Sequence, residues 1–135
     1  MYIDSYILIY SALDNGELGG SCRNFLDQII KGKVSAASSY LVLDEVLWIL
    51  QKEMGKEDAL KAVKMFLSMP VKWIDVKREV VYYWLNIYSR SDLDPRDALH
   101  LATMKEVGLT TIVTEDKDFE DIEGIQRIDI KEWKL

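Results

Sequence analysis

Asp94-Pro95-Arg96-Asp97-Ala98-Leu99-His100-Leu101-Ala102-Thr103-Met104, followed by Leu109-Thr110-Thr111-Ile112-Val113-Thr114-Glu115-Asp116, is the stretch that decides the fold of this chain. Asp94 suits an N-cap and Pro95 the first helical position, where a missing N–H leaves no partner unsatisfied. Gly108 closes the helix, and the β-branched run after it predicts a strand. At about 100° per residue, Asp97 falls between Leu101 and Met104, at the margin of a stripe that also holds Ala98 and Ala102. Its carboxylate is therefore expected on the packed side of the helix. An acid in a first turn can simply complement the helix dipole, but such an acid is ordinarily solvated, whereas this one shares its face with the core. A chemical role needs other carboxylates aimed at the same place.

Working outward, the pattern alternates short strands with helices. Tyr2-Ile3-Asp4 is a strand candidate with Asp4 at its tip. Tyr6 to Tyr10 then reads as a buried helix or a continuing strand, ended by Asp14-Asn15-Gly16. Gly19-Gly20-Ser21 introduces a second helix through Phe25, Leu26, Ile29 and Ile30, which Gly32 stops. Val34 to Ala37 predicts a short strand, with Ser38 or Ser39 capping a third helix over Tyr40 to Leu50. Glu57 to Met69 is an amphipathic fourth helix ended by Pro70, and Val71 to Val76 a further strand. A fifth helix carries Val80, Val81, Trp84, Leu85 and Tyr88, whose helical spacing suits core or a dimer interface better than a base-stacking surface. Ile125 to Asp129 closes the sheet as an edge strand. No repeat or linker divides the 135 residues, so one α/β domain over residues 1–135 with a mostly parallel sheet is expected.

Composition excludes several chemistries. One cysteine, Cys22, cannot form an intramolecular disulfide or build a zinc site, and one histidine rules out a histidine acid–base pair. The net charge of −6, from 17 basic and 23 acidic residues, disfavours broad binding to phosphate backbones. No apolar run approaches the roughly 20 residues needed to cross a bilayer, and no basic stretch precedes an apolar one at the N-terminus. A cytoplasmic location without membrane contact is the resulting expectation.

Four acids stand where a parallel sheet collects ligands. Asp4 and Asp116 follow predicted strands directly, and ligands of such sheets sit beyond the carboxyl ends of the strands. Glu45 is surrounded by Leu41, Val42, Trp48 and Ile49 one helical turn away, so a bound cation or a proton is expected to offset its burial; the helical wheel alone does not separate it from Asp44. With Asp97 these acids would repel unless a hard divalent cation, Mg²⁺ or Mn²⁺, neutralised them. Such a centre suits metal-assisted cleavage of a phosphodiester.

Ile3-Asp4-Ser5, Leu43-Asp44-Glu45-Val46-Leu47, Arg96-Asp97-Ala98-Leu99-His100-Leu101-Ala102-Thr103 and Val113-Thr114-Glu115-Asp116-Lys117-Asp118-Phe119 resemble, in order, the four acidic motifs of PIN-domain ribonucleases. The nearest subfamily looks like the VapC-like toxins of prokaryotic toxin–antitoxin pairs. The resemblance implies a three-layer α/β/α sandwich with a mostly parallel central sheet, and hydrolysis of RNA dependent on Mg²⁺ or Mn²⁺. It also implies frequent homodimers and inhibition by a cognate antitoxin protein whose tail enters the active site. By motif match Asp4, Glu45, Asp97 and Asp116 become catalytic metal ligands, with Glu45 favoured over Asp44. Asp118 becomes an additional acid that binds metal through water. Ser5 and Thr114 match hydroxyls that support the carboxylates, and Tyr6 stands where the family often has a small polar residue. Arg96 is a candidate contact for substrate phosphate or an antitoxin carboxylate, and His100 reads as a structural hydrogen-bonding residue. Two other readings fit the same residues: a PIN nuclease of RNA processing, and a catalytically idle PIN-like domain that binds a partner.

Overall fold

Tyr2–Ile3 (β1) is only two residues long, yet it is the middle strand of the sheet and both its side chains are fully buried. In the computed structural model, which describes residues 1–135, β1 pairs in parallel with Ala37–Ser39 (β2) on one side and Thr111–Val113 (β4) on the other. Lys72–Ile74 (β3) and Gln126–Ile128 (β5) extend the sheet to its two edges in the order β3-β2-β1-β4-β5, every pair parallel. Six helices connect the strands: Ser5–Leu13 (α1), Glu17–Ile30 (α2), Tyr40–Met54 (α3), Lys56–Ser68 (α4), Arg78–Arg90 (α5) and Pro95–Glu106 (α6). The chain moves outward from β1 through β2 to β3, then returns to lay β4 on the other side of β1. The strand order therefore reverses between β1 and β4, and a crevice opens beyond their carboxyl ends.

Strand alternation divides the core into two. Ile3 and Val113 face α1 to α4, joining Leu8, Phe25, Val46, Leu50 and Phe66. Their neighbours Tyr2 and Ile112 face the opposite side with Ala37, Ile74, Met104 of α6 and Phe119. The result is the expected three-layer α/β/α sandwich with a parallel sheet. Helix α6 begins as its sequence predicts, with Asp94 accepting from the Asp97 N–H at 2.9 Å and Pro95 at the first position. It ends in a Schellman turn: Leu109 N donates to Met104 O at 2.9 Å and Gly108 N to Lys105 O at 3.2 Å. Gly108 takes the left-handed φ of 71° that this turn needs.

Three local expectations are corrected. Helix α2 starts at Glu17, so Gly19 and Gly20 lie inside it and do not precede it. Gly19 is a close-approach residue, because a Cβ there would lie 1.9 Å from the Asp14 carbonyl oxygen. Strand β2 runs over Ala37–Ser39, later than Val34 to Ala37; Ser38 is tolerated in the buried strand because its hydroxyl donates to Ile3 O at 2.8 Å. On α5 only Val80 is buried, with Trp84 and Ile87 packed partway against Leu93, Ala98 and Leu101. Val81, Leu85 and Tyr88 are exposed, so they are not core.

Candidate metal centre

Ile3 and Val113 are in register across β1 and β4, which brings the next residues, Asp4 and Thr114, side by side at the crevice. The Thr114 hydroxyl donates to Asp4 Oδ2, and Asp4 Oδ1 accepts the Tyr6 N–H at 3.0 Å, so the same carboxylate caps α1. Thr114 Oγ1 in turn accepts the Asp116 N–H at 3.0 Å. Asp116 Oδ1 accepts the Asp118 N–H at 2.8 Å, opening a 3-10 turn over Lys117–Phe119. A continuous relay of hydrogen bonds thus runs from the end of β1 to Asp118. Helix α6 adds Asp97 from below, and one carboxylate oxygen from each of Asp97, Asp116 and Asp118 lies within 4.8 Å of the other two.

The electrostatics of this cluster are those of a site short of positive charge. Asp97 is only 8% exposed, and its Oδ2 is buried without any hydrogen-bond partner. Burial pushes its carboxyl well above the usual range, and the nearby charges of Asp116 and Asp94 push in the same direction. Asp4, 4% exposed, is raised to about 7, chiefly by burial; the Thr114 hydroxyl and the Ile7 and Tyr6 N–H groups oppose the rise. An all-oxygen donor set with one orphaned oxygen fits a hard divalent cation such as Mg²⁺ or Mn²⁺. Asp97, Asp116 and Asp118 are the residues placed to hold it.

Glu45 has a cationic partner within the protein: its side chain, 15% exposed, lies 3.2 Å from Nη1 of Arg96. The pair sits in a cavity of about 280 Å³ whose lining includes Leu41, Asp44, Trp84 and His100, and Asp44 itself is exposed. Glu45 lies outside the three-aspartate cluster. Besides the larger effect of burial, the charges of Glu45, Asp4 and Asp116 all help raise the Tyr6 phenol. Ser5 is buried at the head of α1 and forms no hydrogen bond with the acids. His100 is the hydrogen-bonding residue that its sequence context suggests: Nδ1 lies 2.8 Å from the Tyr2 hydroxyl, and burial lowers its pKa to about 4, so the ring is neutral near pH 7.

Sequence reasoning missed Arg127. Its side chain turns inward from the edge strand β5 and donates to the carbonyl oxygens of Glu115 and Asp116, at 3.0 and 2.8 Å. Nothing in Ile125 to Asp129 marks that direction, because an edge-strand arginine more often points to water.

A parallel sheet whose strand order reverses beside three clustered aspartates defines an α/β domain with an acidic crevice at its strand ends. The PIN domain family model matches residues 1–125, and the chain belongs to that family. Its fold matches VapC toxins from VapBC complexes. A chain of the DNA-bound VapBC complex of Salmonella typhimurium superposes with a TM-score of 0.75 at 20% identity, covering 96% of each chain. A chain of VapBC2 from Rickettsia felis, bound to a promoter DNA fragment, gives 0.74 at 20% identity, covering 94% of this chain and 96% of that one. VapC20 of Mycobacterium tuberculosis, described as a toxin cleaving the sarcin–ricin loop, gives 0.68 at 18%, covering 88% and 92%. No curated protein matches the chain by sequence.

Proposed function

We propose that this protein is an endoribonuclease dependent on Mg²⁺ or Mn²⁺, the toxin of a toxin–antitoxin pair, acting in the cytoplasm. The observation that carries the reading is the convergence of Asp97, Asp116 and Asp118 around the buried, unpartnered Asp97 Oδ2. A bound divalent ion supplies Lewis-acid activation of water and offsets charge developing on the phosphate oxygens. Asp97, Asp116 and the more exposed Asp118 would hold the ion. Asp4, whose Oδ2 accepts from the Thr114 hydroxyl, would join the ligand set, and Thr114, which also accepts the Asp116 N–H, supports both acids. Glu45 orients substrate or completes the ligand set. Arg96, more than half exposed beside Glu45, contacts a substrate phosphate or an antitoxin carboxylate.

The VapBC matches support an antitoxin partner, and the match to VapC20, described as cleaving the sarcin–ricin loop, supports the choice of RNA. A homodimer belongs to the same proposal, and the exposed Val81, Leu85 and Tyr88 on α5 offer apolar surface for it. No helix is long and apolar enough to cross a membrane. RNA cleavage in Mn²⁺ by the wild-type chain, lost in excess chelator and reduced at least about 100-fold in Asp97→Asn, is the expected result. Cleavage that persists in both would sink the metal-dependent nuclease reading. Binding of a small protein encoded immediately upstream, with inhibition of cleavage, separates a toxin from a processing enzyme.

A further inference from the structure

We propose that Arg127 is the positioning residue of the metal centre, holding Asp116 in its ligand geometry by pinning the backbone on both sides of it; this rests on the metal-dependent reading above. The geometry is specific. The Glu115 carbonyl belongs to the peptide plane before the Asp116 Cα, and the Asp116 carbonyl to the plane after it. Arg127 Nη2 donates to the first at 3.0 Å and Nε to the second at 2.8 Å. One rigid guanidinium therefore fixes both torsions of Asp116, which stand at φ −67° and ψ 117°, and with them the direction of its Cα–Cβ bond. The Thr114 hydroxyl holds the Asp116 N–H, so both backbone polar groups of the ligand residue itself are occupied.

The guanidinium is itself held in place. Its side chain is 8% exposed, and Nη2 also lies 3.1 Å from Asp129 Oδ2, so the buried charge keeps an anionic partner. Asp129 Oδ1 accepts the Lys131 N–H at 3.0 Å, and Lys131 Nζ reaches back to Glu115 at 2.8 Å. Thr114 N donates to Ile128 O at 3.1 Å, so β5 clamps the start of the same loop through its backbone. Arg127 of β5 and Asp129, just past its end, thus brace a loop that contributes two of the three clustered aspartates. A cation recruited only for surface charge would be solvated and would not spend its donors on two main-chain carbonyls.

The test is Mn²⁺ binding to the full-length protein by calorimetry, with RNA cleavage measured across a Mn²⁺ titration, for wild type, Arg127→Gln and Arg127→Lys. Lysine keeps the buried charge, and so the fold, but lacks the planar fork that spans two carbonyls. Arg127→Gln is expected to weaken Mn²⁺ binding about 10-fold or more and Arg127→Lys severalfold, in the range for residues that orient metal ligands. Cleavage by both should recover toward wild type at saturating Mn²⁺, with an unchanged KM for RNA. Mn²⁺ affinities within twofold of wild type in the folded variants overturn the proposal. So does a raised KM at unchanged Mn²⁺ affinity, which would make Arg127 a phosphate contact. A wild-type chain that takes up no Mn²⁺ removes the proposed function and this inference together, whereas normal wild-type uptake with unaltered variants removes this inference alone.

Discussion

Replacing Asp4 with asparagine isolates what it costs to keep a charge in the floor of the crevice. The folded carboxyl is raised from an ordinary 3.8 to about 7. Because the folded pKa lies above the unfolded one, the stability that the protonated acid contributes is fully present below pH 3.8 and is lost as pH rises through 7. At about 1.36 kcal/mol per unit, roughly 2–3 kcal/mol disappears between about pH 5 and pH 8. An amide mimics the protonated acid: it carries no charge and still caps α1 through the Tyr6 N–H. Urea unfolding of the metal-free protein should therefore find wild type and Asp4→Asn nearly equal below about pH 3.8, with the variant's advantage growing by roughly 2–3 kcal/mol between pH 5 and pH 8. Asp97 is raised in the same direction, so wild type and variant share the residual slope that it produces. Saturating Mn²⁺ should narrow the gap at pH 8, since a nearby cation favours the ionised form of Asp4. A variant no more stable than wild type at pH 8, or a difference that does not grow with pH, refutes this account of the buried acid.

Thr114→Val removes the hydroxyl that bonds both Asp4 and the Asp116 N–H, and should cost about 1–3 kcal/mol in denaturant unfolding. An unchanged midpoint would show that the relay is not structural. Gly19→Ala puts a methyl 1.9 Å from the Asp14 carbonyl oxygen, forcing the α1–α2 connection to shift. The overpacking should lower stability by about 1–3 kcal/mol, read as a drop in melting temperature. Arg96→Ala breaks an ion pair whose arginine is more than half exposed, so stability should change by less than about 1 kcal/mol. The same variant should lose RNA cleavage through a raised KM while Mn²⁺ uptake is retained, and unaltered cleavage would remove Arg96 from the substrate contacts.

The layer architecture was legible because its strong signals are local. Asp94, Pro95 and Gly108 each act within a turn of their own helix, and all three do in the structure what their side chains predict. The inward direction of Asp97 was legible too, because a helical wheel reports which face is apolar. Partners were not. The wheel shows that Glu45 has apolar neighbours, but the guanidinium that offsets it comes from a residue 51 positions away, and no periodicity encodes that meeting. The strand over Ala37–Ser39 was misplaced because serine reads as a turn or cap residue; its fitness for a buried strand depends on the carbonyl of Ile3, a non-local acceptor. Arg127 was invisible for the same reason. An edge-strand arginine with inward acceptors has the same local sequence as one that faces water.

The acids of the site divide by how each charge is treated when no ion is present. Glu45 has a cationic partner in Arg96, 3.2 Å away. Asp4 is buried but receives two donors, so part of its cost is met inside the protein. Asp97 has neither: its Oδ2 has no donor, no guanidinium reaches it, and Asp116 and Asp118 stand within 4.8 Å to repel it. A fold selected for stability alone would replace such a group with an apolar one, because an unpartnered buried carboxyl is among the most unfavourable features a core can carry. Its position beside Asp116, whose backbone is held on both sides by Arg127, is an arrangement that a cation would complete. The group that costs the metal-free fold most is thus the one on which the proposed metal site is centred.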